Sequence, residues 1–332
     1  MPIPTPFHDR TSKLCTSYSW TDWAGYYAVC SYILPNDSEY YAIRHSAGII
    51  DITPLFKYEV GGLDAAAYLS RIMARNIQNI DVGQAVYCCW CNDYGKIVDD
   101  GTVFRLDEDR FRVHAAEPML AWFDQFKRGF NVAVEDITET ISAVAIQGPT
   151  SRDILKQLTD VEMDALAYYR VAAGKVDGLD AHISRSGFTG DLGYEIWVEN
   201  KAAPALWDGL MAAGKPYLLQ PAGLDVLDIT RIEAGLILNG VDFHNAEHCL
   251  VESQKSSPFE LGLGWTVDLE REPFCGQRAL IAEKDAGPQY ALVGLELDWD
   301  EQEALYARHG LPAQVNPGAW RNGVPVYTGD GS

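Results

Sequence analysis

The stretch "NDYGKIVDDGTVFRL", Asn92–Leu106, places two adjacent carboxylates, Asp99 and Asp100, in a run that otherwise reads as a β-strand. Strands favour β-branched and aromatic residues and are depleted in Asp, so the pair needs a reason. "AVYCCWCN" precedes it, and Asp93-Tyr94-Gly95-Lys96 separates the two strand-like runs, which is a hairpin signal. A two-residue turn at Tyr94-Gly95 pairs Asp93 with Lys96 and sets Cys89 opposite Asp100 and Tyr87 opposite Thr102; a four-residue loop gives the same register. Successive strand residues point to opposite faces, so Asp99 and Asp100 cannot share one site. Val98, Asp100, Thr102, Phe104 and Leu106 make one face; Ile97, Asp99, Gly101, Val103 and Arg105 make the other. The first is more apolar, which places Asp100 in the drier environment, with Tyr87 one diagonal step away. Two readings follow. In one, an Asp is solvated while the other bonds a backbone N–H in a turn. In the other, a carboxylate sits in a low-dielectric pocket with raised basicity, to accept or orient a proton. Gly101 would let a ligand approach the backbone.

Outward from the hairpin, "LFKYEVGG" and "RFRVHAA" read as strands, and "DAAAYLSRIMARNI" and "EPMLAWFDQFKRG" as helices, the latter closed by Gly129. "ISAVAIQGPTSRDILKQL" is strand, turn and helix. "KAAPALWDGLMAAG" and "PAGLDVLDITRIEAGLIL" are helices, the second with Pro221 in its first turn. "LGLGWTVDL", "YALVGLELD" and "GVPVYTGDG" read as strands. Strands and helices mix without βαβ alternation, so the fold class expected is α+β. The chain stops straight after a strand, so an incomplete C-terminal β domain is expected.

"SRSGFTGDLGYEIWVEN" carries Gly187, Gly190 and Gly193 in a turn between two strands, without the Gly-Lys-Ser/Thr of a phosphate loop. Tyr194, Ile196 and Val198 share one face of the second strand; Glu195, Trp197 and Glu199 share the other. A strand carboxylate on a ring-binding surface can accept two parallel N–H bonds from an amino-pyrimidine edge; a surface Glu is the alternative. "HNAEH" (His244 to His248) matches a zinc-protease string but lacks helical periodicity, and Cys88 faces away from Cys89 and Cys91, so no metal site is expected. His114 in "FRVHAA" reads as a satisfied core histidine unless the fold brings it to Asp100.

The 332 residues hold 26 Lys+Arg against 47 Asp+Glu, a net charge of −21, which disfavours nucleic acid and anionic membrane surfaces as partners. No run of 18 apolar residues and no secretory leader is present, and the seven cysteines read as reduced thiols, so a cytoplasmic location is expected. Oligomeric state stays open.

"GIIDIT", "GQAVYCCWCNDYGKIVDDGTVFRL", "AIQGP", "SRSGFTGDLGYEIWV", "RIEAGLILNG", "SPFELGLGWTVDL" and "FCGQRAL" occur in this order from Gly48 to Leu280. Together they resemble the aminomethyltransferase family, the tetrahydrofolate-dependent T-protein of the glycine cleavage system and its relatives. The resemblance implies a three-domain cloverleaf around a central folate-binding hole. Its expected division is a discontinuous first domain (1–54 with 139–245), a second carrying the hairpin (55–138 with 246–283), and a truncated β-barrel-like third (284–332). It implies Asp100 as the catalytic residue, Tyr87 as a pocket tyrosine and Glu195 as the pterin anchor. Leu55 falls at a pocket-lining position and His114 where an asparagine is usual. Phe188, Phe104 and Arg231 complete the cofactor-binding residues expected. The implied chemistry passes a one-carbon unit to N5 of tetrahydrofolate, from a lipoyl-protein or small-molecule donor.

The sequence departs from that pattern on the folate or donor side. Leu227 in "VLD" replaces an arginine, Phe188 and Asn239 each replace a tyrosine, "TPL" (Thr53 to Leu55) stands for "SHM", and "HNAEHCLVESQKS" lengthens a loop. These changes look closer to folate-dependent demethylases, which take a methyl group from a sulfonium or methylated amine without a lipoyl partner. Other readings are a non-catalytic folate-binding regulator and a domain cut from a folate-coupled amine dehydrogenase.

Overall fold

The structure is a computed structural model describing residues 1–314, 319, 321 and 323–327. Near the N-terminus, β1 (Ser19–Trp23) and β2 (Tyr26–Ser31) form a separate antiparallel pair. Next come β3 (Gly48–Asp51), β4 (Phe56–Gly61), β5 (Ala85–Cys91), β6 (Ile97–Asp107), β7 (Arg110–Ala115) and β8 (Ala133–Asp136). They are followed by β9 (Ile141–Gln147), β10 (Val171–Val176), β11 (Leu179–Ser184), β12 (Gly193–Glu199) and β13 (Gln220–Pro221). A five-stranded sheet runs β5-β6-β7-β4-β8 and a six-stranded sheet runs β10-β11-β12-β9-β3-β13. The mixture is α+β, as its irregular alternation implies.

Each large sheet is covered on one face by helices. Tyr58, Val60, Val103, Phe111, Val113 and Trp90 of the five-stranded sheet pack against Ala65–Ile72 and Leu120–Gln125. Tyr194, Ile196 and Val198 of the six-stranded sheet pack with Ser151–Leu155 and Ala203–Gly214. The other faces meet: Phe104 from β6, Trp197 from β12, and Ile50, Ala143 and Ala145 form a shared core. Strands buried on both faces lose the clean apolar–polar alternation that a half-exposed strand shows.

Four expectations are corrected. "LGLGWTVDL" forms turns and a single 3₁₀ turn, Gly264–Thr266, instead of a strand. "YALVGLELD" is not a strand either: a strand needs a ladder partner, and of the described residues 290–298 Leu292 donates to the Glu260 carbonyl (2.7 Å). Of "GVPVYTGDG", residues 323–327 carry no strand and the rest lies outside the described residues. The helix expected from Pro221 begins at Leu224, because Pro221 pairs with Ile49 in β13. No closed barrel occurs among the described residues.

Candidate active site at the hairpin

The β5–β6 hairpin sets Cys89 opposite Asp100 and Tyr87 opposite Thr102, the register its turn chemistry implies. The loop itself differs. Asn92 N donates to Lys96 O (3.0 Å), and Asn92 Oδ1 accepts from Tyr94 N and Lys96 N, so Asn92 rather than Asp93 pairs with Lys96. Cys91 pairs with Ile97 while Trp90 pairs with Asp99, which leaves Val98 as the extra residue of a β-bulge. The bulge reverses the faces expected for two residues. Ile97 packs with Cys89 and Cys91, and Val98 joins the helix-covered core.

Asp99 and Asp100 occupy opposite faces with different surroundings. Asp99 is the drier of the two, 0% exposed against 9% for Asp100, reversing the expectation. The turn after β7 and the loop after the Leu224–Glu233 helix close over it. Its Oδ1 accepts from Asp100 N (2.9 Å) and Asn239 Nδ2 (2.8 Å), and its Oδ2 from Ala116 N (3.1 Å) and Glu117 N (3.0 Å). Among the described residues Asp100 has one side-chain partner: Tyr87 Oη donates to Oδ2 at 2.5 Å. Burial pushes the Asp100 carboxyl up to about 6, against the Tyr87 hydrogen bond. Burial, then the Asp100 charge, pushes Asp99 up as well, while the Asn239, Glu117 and Asp100 donors oppose this. The pair resists carrying two charges and titrates as a unit. A proton on Asp99 would have to displace a donor from an oxygen that already accepts two; we therefore assign the pair's proton to Asp100.

Gly101 is approached by protein, not by open space: a Cβ there would lie 1.9 Å from His114 O across the ladder. The glycine-rich turn is likewise only partly a conformational device. Gly190 has φ +80°, whereas Gly187 and Gly193 make room for the buried Gln147 amide, which would stand 2.0 and 2.1 Å from their Cβ atoms.

Glu195 lies on the β12 face that carries Trp197, opposite Ser184. It is half-buried, and desolvation pushes its carboxyl up to about 7, opposed by a Ser186 hydrogen bond. Tyr169 links the two sheets. Its carbonyl accepts from Ala85 N (2.8 Å), two residues from Tyr87, and the Glu195 charge helps raise its phenol after burial and Tyr168. Tyr169 adopts φ +56°, a sparsely populated conformation for an aromatic residue, and nothing in the sequence marks it.

Phe104 is fully buried and packs edge-on against Trp197 (4.5 Å between ring centres), with His114 4.9 Å from Phe104 and 4.8 Å from Trp197. His114 is not the satisfied histidine expected. Its Nε2 has no partner among the described residues, and burial, Lys57 and Arg112 hold it well below the ordinary imidazole range, so it is neutral. Leu55 is half-buried against this cluster. Phe188 is half-buried on the glycine-rich turn. Arg231 is buried and ion-paired: Nε donates to Asp228 Oδ1 (2.7 Å), and Nη1 to Asp242 and the Leu236 carbonyl. Its guanidinium braces the helix end.

Sequence reasoning missed Lys57. It is fully buried, its amine donating to the Thr53 and Leu55 carbonyls at 2.7 Å each, and burial lowers it to about 7. Nothing local in "LFKYEVGG" marks that burial. "HNAEH" forms a hydrogen-bonded loop, with Asn245 Nδ2 and His248 Nδ1 both on Glu117 Oε2 (2.6 and 3.1 Å). Among the described residues no three His, Cys, Asp or Glu are grouped to hold a metal ion, and no helix is long and apolar enough to cross a membrane.

The family profile of the GCVT N-terminal domain matches residues 8–271. The chain is 35% identical over 308 residues to a trimethylamine-oxide aldolase of Ruegeria pomeroyi, covering 89% of this chain and 38% of that protein. It is 34% identical to an aminomethyltransferase of Halothermothrix orenii (84% of this chain, 75% of that one) and 38% identical to one of Streptomyces avermitilis (83% and 73%). It thus spans well under half of the aldolase and about three quarters of the aminomethyltransferases. Its fold superposes on the glycine cleavage system aminomethyltransferase T of Bartonella henselae with a TM-score of 0.77 at 26% identity, covering 87% of this chain and 76% of that one. Matched by the profile over most of its length, and similar in sequence and fold to these enzymes, the chain belongs to the GCVT aminomethyltransferase family.

Proposed function

We propose that the chain is a tetrahydrofolate-dependent one-carbon transferase, moving an aminomethyl or methyl unit from a donor to N5 of tetrahydrofolate. The observation that carries this is a pair of under-partnered acids, Asp100 on β6 and Glu195 on β12, on the facing sides of two sheets. Asp100 has the Tyr87 hydroxyl as its side-chain partner, and both acids keep spare acceptor capacity in low dielectric, which suits a ring that presents N–H donors.

Glu195 would hold an amino-pyrimidine edge, with Leu55 and Phe188 as apolar walls. When bound, tetrahydrofolate supplies the nitrogen nucleophile that accepts the one-carbon unit. Asp100, mostly ionised at neutral pH with its carboxyl raised to about 6, takes up or returns a proton at Oδ1, the oxygen that Tyr87 leaves free by donating to Oδ2. The three-domain division around that site is part of this proposal.

A second reading, demethylation of a sulfonium or methylated amine without a lipoyl partner, is favoured by Asn239. This asparagine is drawn onto Asp99 where a tyrosine is usual in the family, and the similarity to the trimethylamine-oxide aldolase agrees with it. The test is incubation with tetrahydrofolate and, separately, aminomethylated lipoyl protein, a sulfonium donor or a methylated amine, with mass-spectrometric detection of methylene- or methyl-tetrahydrofolate. Methylene product from the lipoyl donor selects the first branch, and product from a small-molecule donor alone selects the second. No folate product from any donor, with tetrahydrofolate binding intact, removes the transferase reading.

A further inference from the structure

Trp265 is 64% exposed, although burial would be the ordinary reason for a tryptophan to be rigidly seated. Its ring stacks on Tyr87 at 5.8 Å and 26°, and the Arg75 guanidinium lies 5.8 Å from the same ring. Arg75 also donates to the Tyr87 carbonyl (3.3 Å), and its own carbonyl accepts from Arg271 (3.3 Å). The 3₁₀ turn bearing Trp265 is fastened to the same strand. Thr266 Oγ1 donates to Leu263 O (2.7 Å) and lies 3.4 Å from the sulfur of Cys89, the residue opposite Asp100. Two attachments from 264–266 therefore converge on the β5 residues flanking the candidate acid.

Resting on the functional reading above, we infer that Trp265 is a positioning residue acting through Tyr87: held by Arg75, it fixes the phenol that donates to Asp100. Tyr87 is only half-buried, so the sheet alone leaves part of its ring uncovered. Aromatic stacking and a cation over an exposed indole supply the missing restraint. The ionisable groups facing this arrangement are Asp100 on β6, Cys89 on β5, Arg75 and Arg271, and Tyr169 with Glu195 from the facing sheet; Asp99 and Cys88 act on it only through the strands from the opposite face. The 264–266 turn itself brings none.

The test has two arms. The Asp100 carboxyl band is isolated by infrared difference against Asp100→Asn and titrated without donor or folate. Losing the phenol's hydrogen bond removes what holds Asp100 down, so Trp265→Ala should move its titration up by about 0.5–1 pH unit, with Trp265→Phe and Arg75→Met intermediate. In the kinetic arm, Trp265→Ala should lower kcat roughly tenfold with KM for tetrahydrofolate within about threefold, and should change kcat less than about twofold in a Tyr87→Phe background. An unmoved titration, or an undiminished kcat loss in the Tyr87→Phe background, overturns the inference. The spectroscopic arm needs no turnover. A shifted titration in a protein that transfers no one-carbon unit would sink the functional reading and leave the positioning role standing.

Discussion

Asp99 and Asp100 are joined by one peptide bond, yet four N–H groups surround the first and a single phenol the second. Asp99 works as a structural joint. It ties the hairpin to the turn after β7 and to a loop 140 residues away. Asp100 does little structural work, and its charge is held in low dielectric with hydrogen-bonding capacity unused. The contrast shows that burial alone does not mark a reactive group. A buried carboxylate becomes available for chemistry when its partners are too few to stabilise the charge.

Four measurements would break or sharpen the contrast. Asp100→Asn should lower turnover by about 10²–10⁴-fold while tetrahydrofolate binding is retained; unchanged turnover would remove Asp100 from the chemistry. Asp99→Asn should cost about 2–4 kcal/mol in urea unfolding, because one amide NH₂ must replace an oxygen that accepts two N–H groups. A cost equal to that of Asp100→Asn would erase the distinction.

The third prediction concerns pH. The folded Asp100 carboxyl lies at about 6, above the ordinary aspartate value of 3.8. The folded state therefore binds this proton more tightly. The stabilisation is complete below about pH 4 and lost as pH rises through about 6. Asp100→Asn should accordingly gain roughly 2 kcal/mol relative to the parent protein between pH 4 and pH 8, read by chemical denaturation at both pH values. An opposite or absent pH trend would show that the carboxylate is better satisfied than its contacts imply. Finally, Asn239→Ala removes one of four donors to Asp99 and should destabilise by about 1 kcal/mol. A much larger loss would place the joint's strength in that loop rather than in the backbone N–H groups.

The hairpin, the Asp100–Tyr87 diagonal and the placement of Glu195 beside Trp197 were legible in the chain, since strand alternation and turn length are local rules. The bulge at Val98 was not, because the loop closes on Asn92 instead of Asp93, a choice made by the Asn92 side chain. The drier position of Asp99 escaped as well, since its partners lie 17, 18 and 140 residues distant. The ion pairs of Arg231 with Asp228 and Asp242 were not legible, because they depend on how the helix end folds back.

By itself, the order of residues determined the alternating faces, the β5–β6 register, the surplus of negative charge and the family resemblance, all of which depend on near neighbours or on the whole composition. Tertiary structure alone decided which faces were covered twice, burying Lys57 and His114, and which aspartate received enough donors to remain structural. Those outcomes depend on groups far apart in the chain, and dielectric and hydrogen-bond supply at a point are properties of everything packed around it.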